Sequence, residues 1–232
     1  MKKKQYISIA KRSTDIQIKE LKKIKKIFDN SFIKAVDLIL NCKGKVICAG
    51  IGKSGLIARK ISATFSSIGV PSFFCDPAQA LHGDMGQIEK KDILIIFSYS
   101  GNTSELTNML KYANRYRIKI IGVASKPESI LLKASDIKLL LPKVKEADRT
   151  GLVPTTSTSL TLILGLGWET CFVGISMSIF VLCAGFIFPI AFNYVYSLSS
   201  ALIFLKFNIN HYSNYYDGEQ MKIRASLLQF TL

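Results

Sequence analysis

The chain is poor in several things that would otherwise name a chemistry. It has two histidines, one tryptophan, and 16 Asp/Glu against 31 Lys/Arg in 232 residues. Its five cysteines, at 42, 48, 75, 171 and 183, form no C-x-x-C pair. Neither a zinc ribbon nor a dithiol redox pair is therefore encoded, and free, mostly buried thiols in a reducing cytoplasm are expected. The opening MKKKQYISIAKRS has no apolar run, so no secretory leader is expected. The spacings of a Walker A loop and of a dinucleotide-binding G-x-G-x-x-G are both missing. The pairs Asp76/Asp84 and Asp92/Asp136 lack metal-ligand spacing, and neither a metal nor another cofactor is expected.

Acidic charge is scarce in one part of the chain only. The first 150 residues carry 28 Lys/Arg and 13 Asp/Glu, the last 82 three of each. A net charge of +15 invites a nucleic-acid reading. No RNP, helix-turn-helix or zinc-finger pattern accompanies it, and aromatics do not interleave with the lysines of MKKK, KR and KELKKIKK. A solvated, lysine-rich helix face is expected instead, with no nucleic-acid partner.

What is present is a set of polar turns, each beside an apolar run. SYSGNTSE at 98–105 follows DILIIF directly. Ser98, Ser100, Thr103 and Ser104 thus stand where a buried strand ends and a helix begins, with Glu105 one turn in. A helix start offers unpaired N–H groups and partial positive charge, so hydroxyls and amides there hold a phosphate without Lys or Arg. GKVICAGIGKSG at 44–55 repeats the design, with Lys53 and Ser54 on a glycine-rich turn. TTSTSLTL at 155–162 supplies Thr155, Thr156, Ser157 and Thr158. Three such turns point to one polar pocket at the carboxyl edge of a parallel sheet.

Strands are expected at 45–50, 72–75, 93–98, 118–124 and 136–141, all short and apolar. Helices are expected at 54–67, 103–116 and 127–134, with Pro127 in the first turn of the last, and another from about Ser157. Residues 14–41 read as one long amphipathic helix. The alternation predicts an α/β fold, a parallel sheet covered on both faces. After Gly165 the character changes. Residues 171–205 hold no charge at all, a run longer than the ~20 residues that span a bilayer. A membrane anchor, an extension buried in an oligomer, and the product of a reading-frame change all fit it. The expected division is a domain at 1–168 and an atypical apolar tail at 169–232.

At GKSG, LHGDMG, SYSGNTSE, the KEA of 145–147 and TTST, the sequence resembles the sugar isomerase (SIS) domain family, and within it the D-arabinose-5-phosphate isomerases. The resemblance covers roughly residues 10–165. It implies a three-layer α/β/α sandwich with a five-stranded parallel sheet, a cytoplasmic homotetramer, and interconversion of D-ribulose 5-phosphate and D-arabinose 5-phosphate for synthesis of the lipopolysaccharide sugar Kdo. It places catalytic roles on Lys53, Glu105, Glu146 and His82. It places phosphate binding on Ser54, Ser98, Ser100 and Thr103, with Thr155 to Thr158 also lining the pocket. The sequence departs from the family in its tail: the His-Pro-Gly-Gly segment that carries a catalytic histidine in relatives is not found in these 232 residues, His211 lies in unrelated sequence, and the 232 residues hold no CBS pattern.

Aldose–ketose exchange needs a base, a proton shuttle and charge stabilisation for an enediolate. Glu146 or Glu105 would serve as base if the pocket lifted its pKa towards neutrality. Each residue also has a plainer reading. Lys53 is then a solvated turn lysine, His82 a loop histidine bonded by Asp84, Glu146 a surface carboxylate, and Glu105 a helix-dipole partner. Besides the enzyme, a sugar-phosphate-sensing module that turns substrate over poorly, and a membrane-tethered form, are consistent with the sequence.

Overall fold

The computed structural model describes residues 3–173. The apolar tail beyond 173, with Cys183, His211 and most of the 171–205 run, lies outside the described residues. Among the described residues, no helix is long and apolar enough to cross a membrane.

Five strands form one parallel sheet: β1 (Val46–Gly50), β2 (Ser72–Cys75), β3 (Ile93–Phe97), β4 (Lys119–Ala124) and β5 (Ile137–Leu140), in the order β2-β1-β3-β4-β5. β1 (VICAG) and β3 (ILIIF) are buried at every position. Side chains alternate between faces along a strand, so an unbroken apolar strand needs cover on both. Helices α2 (Asn30–Leu40) and α3 (Gly52–Ser67), and α7 over 156–173, cover one face, where Phe32, Ile61, Phe65 and Trp168 meet Cys48, Ile95, Phe97 and Val123. The other is covered by α4 (Pro77–Ala80), α5 (Leu106–Tyr116) and α6 (Ile130–Ala134), where Leu106, Met109 and Leu131 meet Ile47, Leu94, Ile96 and Ile120. The expected α/β/α sandwich with its five-stranded parallel sheet is what forms.

α7 completes the first face. Gly165 lets it approach α3 closely, for a Cβ there would lie 2.4 Å from Ile61 Cδ1. Three residues on, Trp168 is wholly buried, its ring 6.2 Å from those of Phe32, Phe65 and Phe97. Packing of described residues continues to Phe172, 5.7 Å from Phe65.

The single helix expected over 14–41 is instead three pieces: α1 (Lys3–Leu21), a 3₁₀ stretch (Lys22–Ile27) and α2. Asp29 breaks it. Its backbone is extended and its carboxylate accepts from the amides of Ser31 (2.8 Å) and Phe32 (3.3 Å), so α2 starts afresh with its own cap. The apolar periodicity hides this, because Ile24 and Ile27 stay buried through the break. Two later helices start about three residues late. α5 begins at Leu106 because Thr103 is held back by Ser98, 3.0 Å away hydroxyl to hydroxyl. α6 begins at Ile130 under a Ser129 cap, leaving Pro127 in the preceding turn.

Candidate active site

The chain leaves β1 towards one side to make β2 and leaves β3 towards the other to make β4. At that reversal the loops beyond the two strand ends part, and a crevice opens between them. Here it is a cleft of about 510 Å³. Lys53 and Ser54 enter it from the first turn of α3, Ser98, Tyr99, Ser100 and Thr103 from the loop after β3, Val144 and Glu146 from the segment after β5, and Ser157, Thr158 and Thr161 from α7.

α3 begins without a side-chain cap, Ile51 standing at the N-cap position. Gly52, at φ +57°, turns the chain so that Lys53 and Ser54 follow at the cleft. An uncapped helix start beside an ammonium group is an electropositive corner.

The serine loop closes on itself. Ser98, almost completely buried, lies 3.0 Å from Thr103 Oγ1, and its Oγ accepts from the Gly101 amide at 3.1 Å. The Ser100 hydroxyl accepts from the Asn102 amide at 3.4 Å. Gly101 has φ +68°, and a Cβ on it would lie 2.3 Å from Ser129 Oγ. Tyr99 fastens the loop to the far rim. Its hydroxyl donates to Pro142 O (3.3 Å) and accepts from the Val144 amide (3.0 Å). A tally of serine and threonine hydroxyls passes over Tyr99, although it stands inside the same motif. Thr161 also reaches the cleft, and its place one turn after Ser157 is the sequence signal for it.

Glu146 is fixed by the start of α7. Its Oε2 accepts from the amides of Thr155 (2.8 Å), Thr156 (2.7 Å) and Ser157 (3.3 Å) and from the Thr155 hydroxyl (2.9 Å). All four bonds fall on one oxygen, and Oε1 accepts none of them. Burial pushes the Glu146 carboxyl up, but Ser157 and Thr155 donors outweigh it and hold the group below the ordinary glutamate value. The condition attached to Glu146 as base, a pKa lifted towards neutrality, is therefore not met: the donors at α7 stabilise the anion more than desolvation penalises it, and what they secure is a carboxylate that is ionised at neutral pH with Oε1 left clear of them.

Of the residues singled out from sequence, Lys53, Ser54, Ser98, Ser100, Thr103, Glu146, Ser157 and Thr158 meet in this cleft. Thr155 stands behind Glu146, and the Thr156 side chain is buried with its hydroxyl unpartnered. Glu105 and His82 are exposed and do not line the cleft. Glu105 occupies the N-cap position of α5, where its own amide and the Ser104 hydroxyl hold its carboxyl below the ordinary value, again not above it. His82 follows α4. The side-chain bond that the structure gives Asp84 runs to Gln87, not to His82. Burial pushes the thiols of Cys48 up to about 12 and Cys75 to about 11, so neither is a nucleophile near neutral pH. Among the described residues, no group of His, Cys, Asp and Glu is placed to hold a metal ion.

Comparisons with known proteins bear on the family and the fold. The chain is 41% identical over 145 residues to arabinose 5-phosphate isomerase KdsD of Shigella flexneri, covering 62% of this chain and 44% of that one. It is 43% identical over 163 residues to the protein of the same name from Francisella tularensis, covering 69% and 50%. The chain thus spans about half the length of the curated relatives it matches. A solved Escherichia coli structure in complex with arabinose 5-phosphate superposes with a TM-score of 0.72 at 31% identity, over 76% of this chain and 94% of that one. The SIS domain family model matches residues 39–166, which take in every strand of the sheet and all the cleft-lining residues, and the chain belongs to that family.

Proposed function

We propose that the chain is a phosphosugar aldose–ketose isomerase interconverting D-ribulose 5-phosphate and D-arabinose 5-phosphate. The observation that carries this reading is Glu146, an ionised carboxylate anchored through one oxygen, sharing a cleft with Lys53 and a serine-rich loop. The phosphate sits against Ser98, Ser100 and Thr103 beside the uncapped start of α3, where amides and hydroxyls stabilise its charge. Glu146 Oε1 takes a proton from C1 of the ketose and returns it to C2. The electron pair left behind spreads onto the carbonyl oxygen, and the Lys53 ammonium stabilises the resulting enediolate. A proton passes between O2 and O1 to complete the exchange. Glu105 and His82 enter only through the family resemblance, as groups for that last transfer. Three further proposals accompany this reading: a homotetramer, a cytoplasmic location, and supply of Kdo synthesis.

The missing His-Pro-Gly-Gly segment favours a second reading, a module that binds sugar phosphate without turning it over. A coupled assay of arabinose 5-phosphate formation, run beside a calorimetric titration with the same sugar phosphate, separates the two. Turnover establishes the enzyme; saturable binding with no turnover establishes the module. No binding at all removes both.

A further inference from the structure

We propose that Glu20, on a helix that lines no part of the cleft, is a positioning residue for Glu146. The segment from Lys143 to Ala147 leaves β5 with no ladder to hold it, since β5 is the edge of the sheet and the chain beyond it is irregular. Besides the Tyr99 hydroxyl, which accepts from the Val144 amide, two clamps hold it on the helix side. On the α7 side, the Ala147 amide donates to Thr155 Oγ1 at 2.9 Å. On the α1 side, the Lys145 amide donates to Glu20 Oε2 at 3.0 Å, across 125 residues of sequence. Lys23 closes the second clamp, its ammonium 2.5 Å from the same Glu20 oxygen and 3.4 Å from the Lys143 carbonyl. Gln17, one turn earlier on α1, accepts from the Ser159 hydroxyl of α7 at 3.1 Å. α1 therefore grips both partners of the Glu146–α7 contact from behind.

Glu20 is only 8% exposed. A carboxylate in such a place costs stability unless its oxygens are engaged, and here an ammonium and an amide engage the same one. Lys23, then the Lys145 amide, hold its carboxyl below the ordinary value. Glu20 is thus an anion at neutral pH, and the amide it holds belongs to the residue next to Glu146. If the Lys145 backbone is released, the Glu146 side chain no longer reaches all the donors of α7 at once.

The inference deepens the isomerase reading and rests on it for its catalytic consequence, but its test needs no substrate. In the ¹⁵N-labelled full chain, the amide resonances of Thr155 and Thr156 report ionisation of Glu146 as pH is lowered. Other charged groups on the elements around Glu146 are Lys53 in the cleft, Lys143, Lys145, Asp148 and Arg149 on its own segment, and Glu20 and Lys23 on the helix side; Glu146→Gln identifies the titration that belongs to Glu146. Glu20→Gln keeps an acceptor for the Lys145 amide but releases Lys23; Glu20→Leu removes both. Loss of the Glu20 charge alone would move the midpoint to lower pH; the expected result is the opposite, a midpoint that moves to higher pH in Glu20→Gln and further in Glu20→Leu, because donors of α7 are lost to Glu146. Where Glu20→Leu fails to fold, Glu20→Gln alone decides. Midpoints that coincide with the unaltered chain or fall below it in the folded variants overturn the inference, whatever happens to melting temperature, because a merely structural role lowers stability, and a merely electrostatic one lowers the midpoint, without costing Glu146 its α7 donors. A titration that survives Glu146→Gln overturns it too. A moved midpoint in a chain without turnover supports the positioning role and counts against the isomerase reading alone.

Discussion

The Thr156 amide donates to Glu146 Oε2 at 2.7 Å, so the first turn of α7 is closed by a carboxylate ten residues upstream. A helix start engaged in this way has little left for a second anion. In the TTST segment, expected from sequence to line a phosphate pocket, the amides of Thr155, Thr156 and Ser157 and the Thr155 hydroxyl are engaged by Glu146. In the proposed isomerase, the phosphate would then fall to the serine loop and the start of α3.

This contact makes part of the stability pH-dependent. Glu146 has its carboxyl held below the ordinary value near 4.5, so its contribution is fully present above that value and is lost as pH falls through the lower, folded-state value. Glu146→Gln keeps an oxygen acceptor but carries no charge. Melting curves across pH are expected to show a constant deficit for the variant at neutral and mildly acidic pH. The deficit should shrink once the pH drops below the ordinary glutamate value.

Lys53 is exposed on the first turn of α3, so its side chain contributes little to the core. Lys53→Met is expected to lower kcat for arabinose 5-phosphate formation by about 10²–10³, the usual effect of deleting one group that stabilises an oxyanion. The urea midpoint should stay within about 0.5 kcal/mol of the unaltered chain. Equal losses in both measurements would place Lys53 in the framework rather than in the chemistry.

Gly101 and Gly52 both have positive φ, but their surroundings differ. A Cβ at Gly101 meets Ser129 Oγ at 2.3 Å and Ala124 Cβ at 2.9 Å, whereas one at Gly52 meets nothing within 4 Å. Gly52→Ala should cost only the backbone penalty of about 1–2 kcal/mol. Gly101→Ala should exceed it by about 1–3 kcal/mol of steric strain and should also weaken sugar-phosphate binding, since the serine loop has to shift. Urea unfolding of both variants, with one binding titration each, checks the order.

Trp168→Ala removes a ring that touches α2, α3 and β3 together. A loss of about 3–5 kcal/mol is expected in urea unfolding, a large share of the stability of an ordinary domain.

The sheet was legible because β1 and β3 are apolar at every position and glycines mark their exits; that pattern allows little except a strand covered on both faces. The break at Asp29 was not, because Ile24 and Ile27 keep the apolar period going across it. The cleft could be assembled from its turns, since parallel strands bring their carboxyl ends to one edge. The direction of the Glu146 pKa could not, for it depends on four donors meeting one oxygen, a matter of ångströms that residue types do not encode. The Glu20–Lys145 contact is hidden for a related reason: nothing local in KELKK marks one carboxylate as the partner of an amide so far along the chain.

The lone tryptophan, packed among three phenylalanines and shut off from solvent, also supplies a native optical probe. Its fluorescence should peak at short wavelength in the folded chain and shift to the red when water reaches the ring. Because the ring sits where α7 meets α2, α3 and β3, one emission spectrum monitors the docking of the helix whose first turn holds Glu146, with no label introduced.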